Sequence, residues 1–164
     1  MEIIRIIEEL KKQNNRIRMF VDMDGTIIEN VYNLEKSYEQ KGGYLKKRPI
    51  TPIIDIINLV KERYEDIEVN ILSCAMTNNM VQEKNEWINI HMPNIRVDNR
   101  IFLVKENGDF VEDTLRIVKS EYIKANLLDD EIAILIDDNS SILNEALKIL
   151  GSKIVPIHVT TLLI

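Results

Sequence analysis

Residues 17–26 read IRMFVDMDGT, and this stretch decides the fold. Its first half is a short apolar run, typical of a strand buried in a sheet. The strand predicted over residues 17–21 ends abruptly, because Asp22, Asp24 and Gly25 favour a loop. The chain thus places two closely spaced carboxylates at the end of a buried strand.

Polar side chains also follow two other predicted strands. Residues 67–72 predict a second strand that ends at Ser73. Residues 132–136 are a continuous apolar run, as expected of a strand buried on both faces, and Asp137 and Asp138 follow it. Because ligand sites in parallel sheets lie beyond the carboxyl ends of the strands, we expect these groups to meet at one edge.

Helical patterns alternate with the strands, which predicts right-handed βαβ units and a parallel sheet. The predicted fold is an α/β, Rossmann-like three-layer domain with helices on both faces of a central parallel sheet. The length fits one domain over residues 1–164. Thr51 and Pro52 predict a helix start with a threonine N-cap. Helices are predicted over 2–13, 51–64, 79–91, 119–128 and 140–149, and further strands over 101–104 and 154–159.

Composition excludes several functional classes. The net charge of −6 argues against a general nucleic-acid or anionic-membrane surface. No apolar run is long enough to span a bilayer, and the amphipathic start, residues 1–14, predicts a packing helix rather than a secretory signal. A single cysteine, Cys74, excludes an internal disulfide framework and is interpreted as a small buried apolar residue. We therefore expect a cytoplasmic protein. Separately, Trp87, His91 and His158 are predicted to have packing or structural roles.

The clustered acids predict a metal ion and a phosphate together. Four carboxylates at one sheet edge repel each other unless a cation neutralises them, and Mg²⁺ prefers oxygen ligands. Ser73 and a lysine are suited to hold phosphate oxygens, and Asp22 is suited to attack phosphorus. Asp24 is placed to protonate the leaving oxygen and later to activate water. Gly25 allows the chain to turn sharply after these acids.

Three segments resemble motifs of the haloacid dehalogenase (HAD) superfamily. Residues 20–26 (FVDMDGT) are similar to its first motif, residues 71–73 (ILS) to its second and residues 134–138 (ILIDD) to its fourth. Their order and spacing agree with the family over about residues 17–150. The resemblance implies a HAD-like fold and a phosphatase-type hydrolase.

The resemblance also implies residue roles. Asp22 is the nucleophile and a metal ligand, and Asp24 is the acid/base that binds the metal through its backbone carbonyl. Asp138 and Asp137 bind the metal, one directly and the other through water, in either order. The implied cofactor is Mg²⁺.

The third motif of the family is a lysine, for which the sequence offers alternatives. Lys119 opens the helix before the fourth strand, as in the family, and is chosen with Ser73 to hold the phosphoryl group. Lys105, directly after the third strand, remains the alternative. Lys84 is disfavoured because it falls on the helix after the second motif.

The region that selects substrate is short. Residues 27–50 form a small insertion after the first motif and are predicted to be a cap. Gly25 and Thr26 are predicted to contribute to substrate binding. Residues 83–87 (EKNEW) resemble a helix segment of the 5′(3′)-deoxyribonucleotidases. A small cap leaves the site open, which suits a large substrate or a homodimer in which a second chain covers the site.

The sequence therefore predicts a magnesium-dependent phosphatase that hydrolyses phosphate monoesters through an aspartyl-phosphate at Asp22. Its expected partner is a phosphorylated small molecule, with nucleotides among the candidates. The alternatives are a 5′-nucleotidase-type phosphatase and a non-catalytic phosphate-binding or regulatory protein on the same fold. The N-terminal helix has no assigned role beyond packing, and residues 106–118 have no assigned role.

Other metal and phosphate proteins fit the pattern less well. A calcium loop that began at Asp22 would have Ile27 where glycine is needed and Asn33 where a bidentate acid is needed. In a response-regulator receiver the paired acids come before the phosphorylated aspartate, whereas here they come last. A phosphotransferase usually has a larger cap that excludes water.

Overall fold

The computed structural model describes residues 1–30 and 41–164. Within them, five strands form one sheet in the order β3-β2-β1-β4-β5, and every neighbouring pair is parallel. The first strand therefore lies at the centre, between the second and the fourth. The strands are β1 (Arg16–Val21), β2 (Glu68–Ala75), β3 (Arg100–Val104), β4 (Glu131–Asp137) and β5 (Ile154–His158).

Helices cover both faces of this sheet. Because side chains alternate along a strand, β1 sends Met19 and Val21 to one core and Phe20 to the other. The first core contains side chains of α1, α2 and α3, and the second contains side chains of α4 and α5. This arrangement confirms the predicted α/β three-layer fold. The helices are α1 (Glu2–Lys12), α2 (Thr51–Arg63), α3 (Asn78–His91), α4 (Val118–Asn126) and α5 (Ser140–Leu150).

The N-terminal helix packs against the sheet. Ile3, Ile7 and Leu10 of α1 are buried in the first core, while Ile4 and Ile6 are partly buried against it. The packing role predicted from its apolar face is confirmed. No helix in the described ranges is long and apolar enough to cross a membrane.

One predicted strand end and one predicted helix cap are wrong for tertiary reasons. Strand β2 continues past Ser73 to Ala75, because residues 73–75 pair with residues 102–104 of β3. Helix α2 begins at Thr51, so Ile50 occupies the N-cap position and no side chain caps the helix. The backbone N–H of Ile50 instead donates to the carbonyl of Ile27 at 2.8 Å. The insertion, rather than a threonine hydroxyl, therefore holds the start of this helix.

The insertion after β1 is described at both of its ends, and residues 31–40 of the predicted cap lie outside the described residues. Ile28 forms isolated β-bridges with Asp24 and with Pro49, and the bridge to Pro49 joins the two ends of the insertion. Tyr44, in the second half of the insertion, is buried at 2% exposure, and its hydroxyl donates to Asp24 Oδ1. The described part of the insertion therefore packs directly beside the loop that follows β1.

Candidate active site

Three neighbouring strands end at one cavity of about 200 Å³. The backbone N–H of Asp22 donates to the carbonyl of Ile136 at 2.9 Å, which aligns the end of β1 with the end of β4. The volume of this cavity is below the range of about 300–1,000 Å³ that is typical of sites for drug-sized ligands, so the cavity suits a small chemical group. Among the described residues, eleven line it: Asp22, Asp24, Asn30, Ser73, Cys74, Leu115, Lys119, Asp137, Asp138, Asn139 and Ile142.

Three of the four predicted metal-binding acids converge. Asp22, Asp137 and Asp138 each offer a carboxylate oxygen, and these oxygens lie within 4.8 Å of one another. Asp22 and Asp137 are buried, and Asp138 is partly buried. Three hard oxygen donors at this spacing fit a divalent cation such as Mg²⁺. The fourth acid, Asp24, directs its carboxylate elsewhere, so metal binding through its backbone carbonyl stays a prediction.

Lys119 joins two of these acids. Its Nζ donates to Asp22 Oδ1 and to Asp137 Oδ2, both at 2.6 Å, and its side chain is buried. Burial alone lowers the pKa of Lys119, but the two carboxylates outweigh it and raise that pKa above its ordinary value. Lys119 is therefore a cation at neutral pH. Lys105, the alternative, is partly exposed and its Nζ lies 3.8 Å from Glu112, outside the cavity lining.

The Asp22 carboxylate is nearly inaccessible to bulk water. Burial raises its pKa above the ordinary aspartate value, Lys119 lowers it, and Asp137 raises it again. Its other oxygen accepts a hydrogen bond from Thr26 Oγ1 at 3.2 Å. Two donors thus orient a carboxylate that has little solvation of its own.

Gly25 and Thr26 support the acids from behind. Gly25 has φ +83°, and a Cβ atom there would lie 2.1 Å from Asp138 Oδ2, so only glycine leaves room for that carboxylate. Thr26 is completely buried beside Asp22. Neither residue lines the cavity. Their predicted contribution to substrate binding stays a prediction.

Asp24 is bound by three donors from other segments. Tyr44 Oη and Lys47 Nζ donate to Oδ1, both at 3.0 Å, and Lys84 Nζ donates to Oδ2 at 2.8 Å. Burial opposes ionisation, but the two lysines outweigh it and lower the pKa of Asp24 to about 2. Asp24 is therefore an anion in this structure.

Ser73 meets Lys84 at the end of β2. Lys84 Nζ donates to Ser73 Oγ at 2.7 Å and to the carbonyl of Cys74 at 2.8 Å. The Lys84 side chain is fully buried. Helix α3 therefore sends a cation into the strand ends, although the sequence disfavoured Lys84 as the family's lysine.

Four residues were predicted to have structural roles, and the structure confirms only some of these predictions. Trp87 is fully buried and its ring centroid lies 4.4 Å from that of His91, which confirms the predicted packing. The Nε2 atom of His158 lies 2.9 Å from the carbonyl oxygen of Asp138, so His158 supports the backbone next to the acids. Cys74 is only partly buried and lines the cavity, so its interpretation as a buried apolar residue is wrong. The extension of β2 past Ser73 places it there.

Tyr44, Lys47 and Leu115 are site residues that sequence reasoning missed. Tyr44 and Lys47 belong to a basic segment of the insertion, residues 41–48 (KGGYLKKR), whose composition alone resembles a solvated surface. Leu115 lies in the unassigned region 106–118 and reaches the cavity wall. The sequence pattern predicts the helix that carries Lys84, but it does not show that this lysine reaches the strand ends.

Comparisons with known proteins give evidence at the level of fold. No family model matches the sequence, and neither does any curated protein. A chain from the structure of the Pnkp1/Rnl/Hen1 RNA repair complex is 16% identical and superposes with a TM-score of 0.61. That alignment covers 88% of this chain but only 43% of the other, so this chain spans less than half of that relative.

A second solved structure matches over most of both chains. The HAD domain of the effector protein Lem4 from Legionella pneumophila is 14% identical, with a TM-score of 0.54. The alignment covers 87% of this chain and 86% of that domain. The chain therefore has a HAD-like fold.

Proposed function

We propose that this protein is a magnesium-dependent phosphatase that hydrolyses phosphate monoesters through an aspartyl-phosphate at Asp22. One observation carries the proposal: Asp22, Ser73, Lys119 and the Asp137–Asp138 pair meet around one cavity at the strand ends. The HAD-like fold supports the same class of chemistry. The small volume of the cavity suits a phosphoryl group, with the remainder of the substrate outside.

In the first step an oxygen of Asp22 attacks phosphorus, and the bond between phosphorus and the leaving oxygen breaks. Thr26 and Lys119 orient the attacking carboxylate through the hydrogen bonds described above. Ser73 and Lys119 are suited to stabilise the negative charge on the phosphoryl oxygens, as donors prepositioned in a poorly solvated site do.

In the second step water attacks the phosphorus of the aspartyl-phosphate, and inorganic phosphate and the Asp22 carboxylate are released. Asp24 accepts the proton of that water, for which its anionic form is suited. If the leaving oxygen is unstable as an anion, it needs a proton from Asp24, and Asp24 must be protonated before that step. A leaving group that is stable as an anion departs without this proton.

The predicted ligands of Mg²⁺ are Asp22, Asp137 and Asp138, with the backbone of Asp24. When bound, the ion would neutralise negative charge on the transferring phosphoryl group. The charges within the cavity support this cofactor, because Lys119 alone does not balance the three converging carboxylates.

The test is hydrolysis of p-nitrophenyl phosphate by the purified protein, with Mg²⁺ and with EDTA, beside Asp22→Asn. We expect magnesium-dependent turnover that the substitution lowers by about 10⁴-fold or more, because the amide is a poor nucleophile. Turnover close to that of the native protein in Asp22→Asn contradicts the covalent mechanism.

The outcome also separates the alternative functions. Active protein is then assayed with nucleoside monophosphates and with sugar phosphates, and a strong preference for the former indicates a 5′-nucleotidase-type enzyme. Protein that binds inorganic phosphate but hydrolyses none of these substrates contradicts the proposal and favours the non-catalytic alternative.

A further inference from the structure

We propose that Lys84 is a positioning residue that turns the hydroxyl proton of Ser73 into the cavity. The inference deepens the proposed function and rests on it. Lys84 lies on α3, within residues 83–87 but outside the three segments that resemble the first, second and fourth HAD motifs. Its ammonium nevertheless reaches the ends of both β1 and β2.

The hydrogen-bonding capacity of Lys84 is used up within the protein. An ammonium has three hydrogens, and Nζ has three acceptors at 2.7–2.8 Å: Asp24 Oδ2, Ser73 Oγ and the Cys74 carbonyl. No hydrogen of Lys84 is left for a phosphate. Lys119 differs, because only two acceptors of its Nζ, on Asp22 and Asp137, are found among the described residues.

The consequence falls on Ser73. A hydroxyl has one hydrogen and two lone pairs, and Lys84 occupies one lone pair of Ser73 Oγ. Because the ammonium cannot accept a hydrogen bond, the hydroxyl proton must point away from it. Ser73 is almost completely buried and lines the cavity, so its proton is directed toward whatever occupies the cavity.

Lys84 is itself held rigidly. Its side chain is completely buried, and its Nζ lies 5.4 Å from the centre of the Tyr44 ring, within the range of a cation–π contact. On the same helix, Trp87 Nε1 donates to the carbonyl of Lys47 at 3.0 Å, and Glu83 accepts from the backbone N–H of Gly42. Side chains of α3 thus hold the insertion in place next to Lys84, the lysine that orients Ser73.

A double-mutant cycle tests this role. The proteins are the native chain, Ser73→Ala, Lys84→Met and the double variant, and the readouts are the Kd for inorganic phosphate by calorimetry and kcat and KM for p-nitrophenyl phosphate. We expect Lys84→Met to weaken phosphate binding at least about fivefold more when Ser73 is present than in the Ser73→Ala background. The general loss of positive charge occurs in both backgrounds and therefore cancels.

A matched control is Lys148→Met on α5, whose side chain is 71% exposed and bonds to Glu145. This control should leave the Kd unchanged. Circular dichroism and the fluorescence of Trp87, the single tryptophan, check the fold of each variant. If Lys84→Met does not fold, the cycle is repeated with Lys84→Gln, which keeps a neutral donor.

The outcomes separate this inference from the proposed function. If the native protein binds phosphate and the loss caused at Lys84 is equal in both Ser73 backgrounds, the positioning role is overturned while the phosphatase proposal stands. If the native protein neither binds phosphate nor turns over substrate, the proposed function fails and the inference fails with it. A coupling of the expected size, with an unchanged Lys148→Met control, supports the role of Lys84.

Discussion

At the scale of single residues, the two buried lysines that bind the site acids differ in how many acceptors their Nζ atoms have within the described residues: two for Lys119 and three for Lys84. Lys119 links Asp22 to Asp137, while Lys84 links Asp24 to Ser73. Each lysine therefore couples a residue after β1 to a neighbouring strand. The two ammonium groups offset part of the negative charge on three carboxylates that burial would otherwise make costly to ionise.

Lys119 and Lys105 should respond very differently to truncation. Lys119→Ala removes the donor to Asp22 and is expected to lower kcat/KM by about 10²–10³-fold, as loss of an electrostatic stabiliser does. Lys105→Ala removes only a partly exposed pair with Glu112 and should change kcat/KM less than about twofold. Steady-state kinetics with p-nitrophenyl phosphate provides the comparison, and equal effects would leave the family's third motif unassigned.

Asp24 should matter most after the aspartyl-phosphate has formed. In Asp24→Asn the nitrophenolate still departs, because it is stable as an anion, but no carboxylate remains to take the proton of water. We expect a burst of about one equivalent of product, followed by turnover lowered by about 10²–10⁴-fold. Rapid-mixing absorbance measures both phases. Loss of the burst together with the steady rate would show that Asp24 is needed earlier.

At the scale of secondary-structure elements, α1 and α3 bury apolar side chains in the same core, but they differ in their contacts with the site. Helix α1 contributes Ile3, Ile7 and Leu10 and none of the residues that line the cavity. Helix α3 contributes Trp87 to this core but also holds the insertion through Trp87 Nε1. One helix therefore adds stability, and the other also positions side chains at the site.

Trp87→Phe tests this second role of α3. The substitution keeps an aromatic ring but removes the hydrogen bond from Trp87 Nε1 to the carbonyl of Lys47. The free energy of unfolding should therefore fall by about 1–2 kcal/mol. Because Lys47 and Tyr44 contact Asp24, kcat/KM should fall as well. Urea unfolding and steady-state kinetics measure the two effects.

Ile7→Ala on α1 is the companion variant. It creates a cavity in the same core and should cost about 2–4 kcal/mol, more than Trp87→Phe. Its kcat/KM in the absence of urea should nevertheless match that of the native protein. A loss of activity that simply tracks stability in both variants would argue against a positioning role for α3.

At the scale of the whole molecule, negative charge is held at the strand ends, where Asp22, Asp137 and Asp138 converge beside Lys119. Burial and the neighbouring Asp137 raise the pKa of Asp138 above its ordinary value. The native fold therefore holds a group of carboxylates that an added cation would relieve.

Mg²⁺ should consequently stabilise the fold. If the ion is present at about 100 times its Kd, the free energy of unfolding should rise by about 2.7 kcal/mol, or roughly 5–10 °C in Tm for a domain of this size. Thermal unfolding with Mg²⁺ and with EDTA measures the shift. Asp138→Asn should reduce it, whereas an equal shift in that variant would place the ion elsewhere.

Much of this architecture follows from local patterns. Buried runs such as residues 132–136 predict strands of a parallel sheet. Because these strands run in the same direction, the polar residues at their carboxyl ends lie at one edge of the sheet. The positions of Asp22, Ser73 and Asp137 at that edge were predictable for this reason. Lys119 was chosen through the family resemblance, and its two ion pairs lie at the same edge.

Other site residues had no local signal. The reach of Lys84, and of Tyr44 and Lys47 from the insertion, depends on how α3 packs beside the loop after β1. Sequence periodicity does not encode that packing. The end of β2 was missed for a related reason, because its last residues, 73–75, are strand only through pairing with β3.

The strand order has a kinetic consequence. Because β1 lies between β2 and β4, the ion pair between Asp22 and Lys119 joins residues 97 positions apart. The ion pair between Asp24 and Lys84 joins residues 60 positions apart. Contacts of such high sequence separation form only after large loops have closed, which makes parallel sheets slow to fold. Secondary structure should therefore return early during refolding. Recovery of the site should mark the last stage, when the two halves of the chain meet across the central strand.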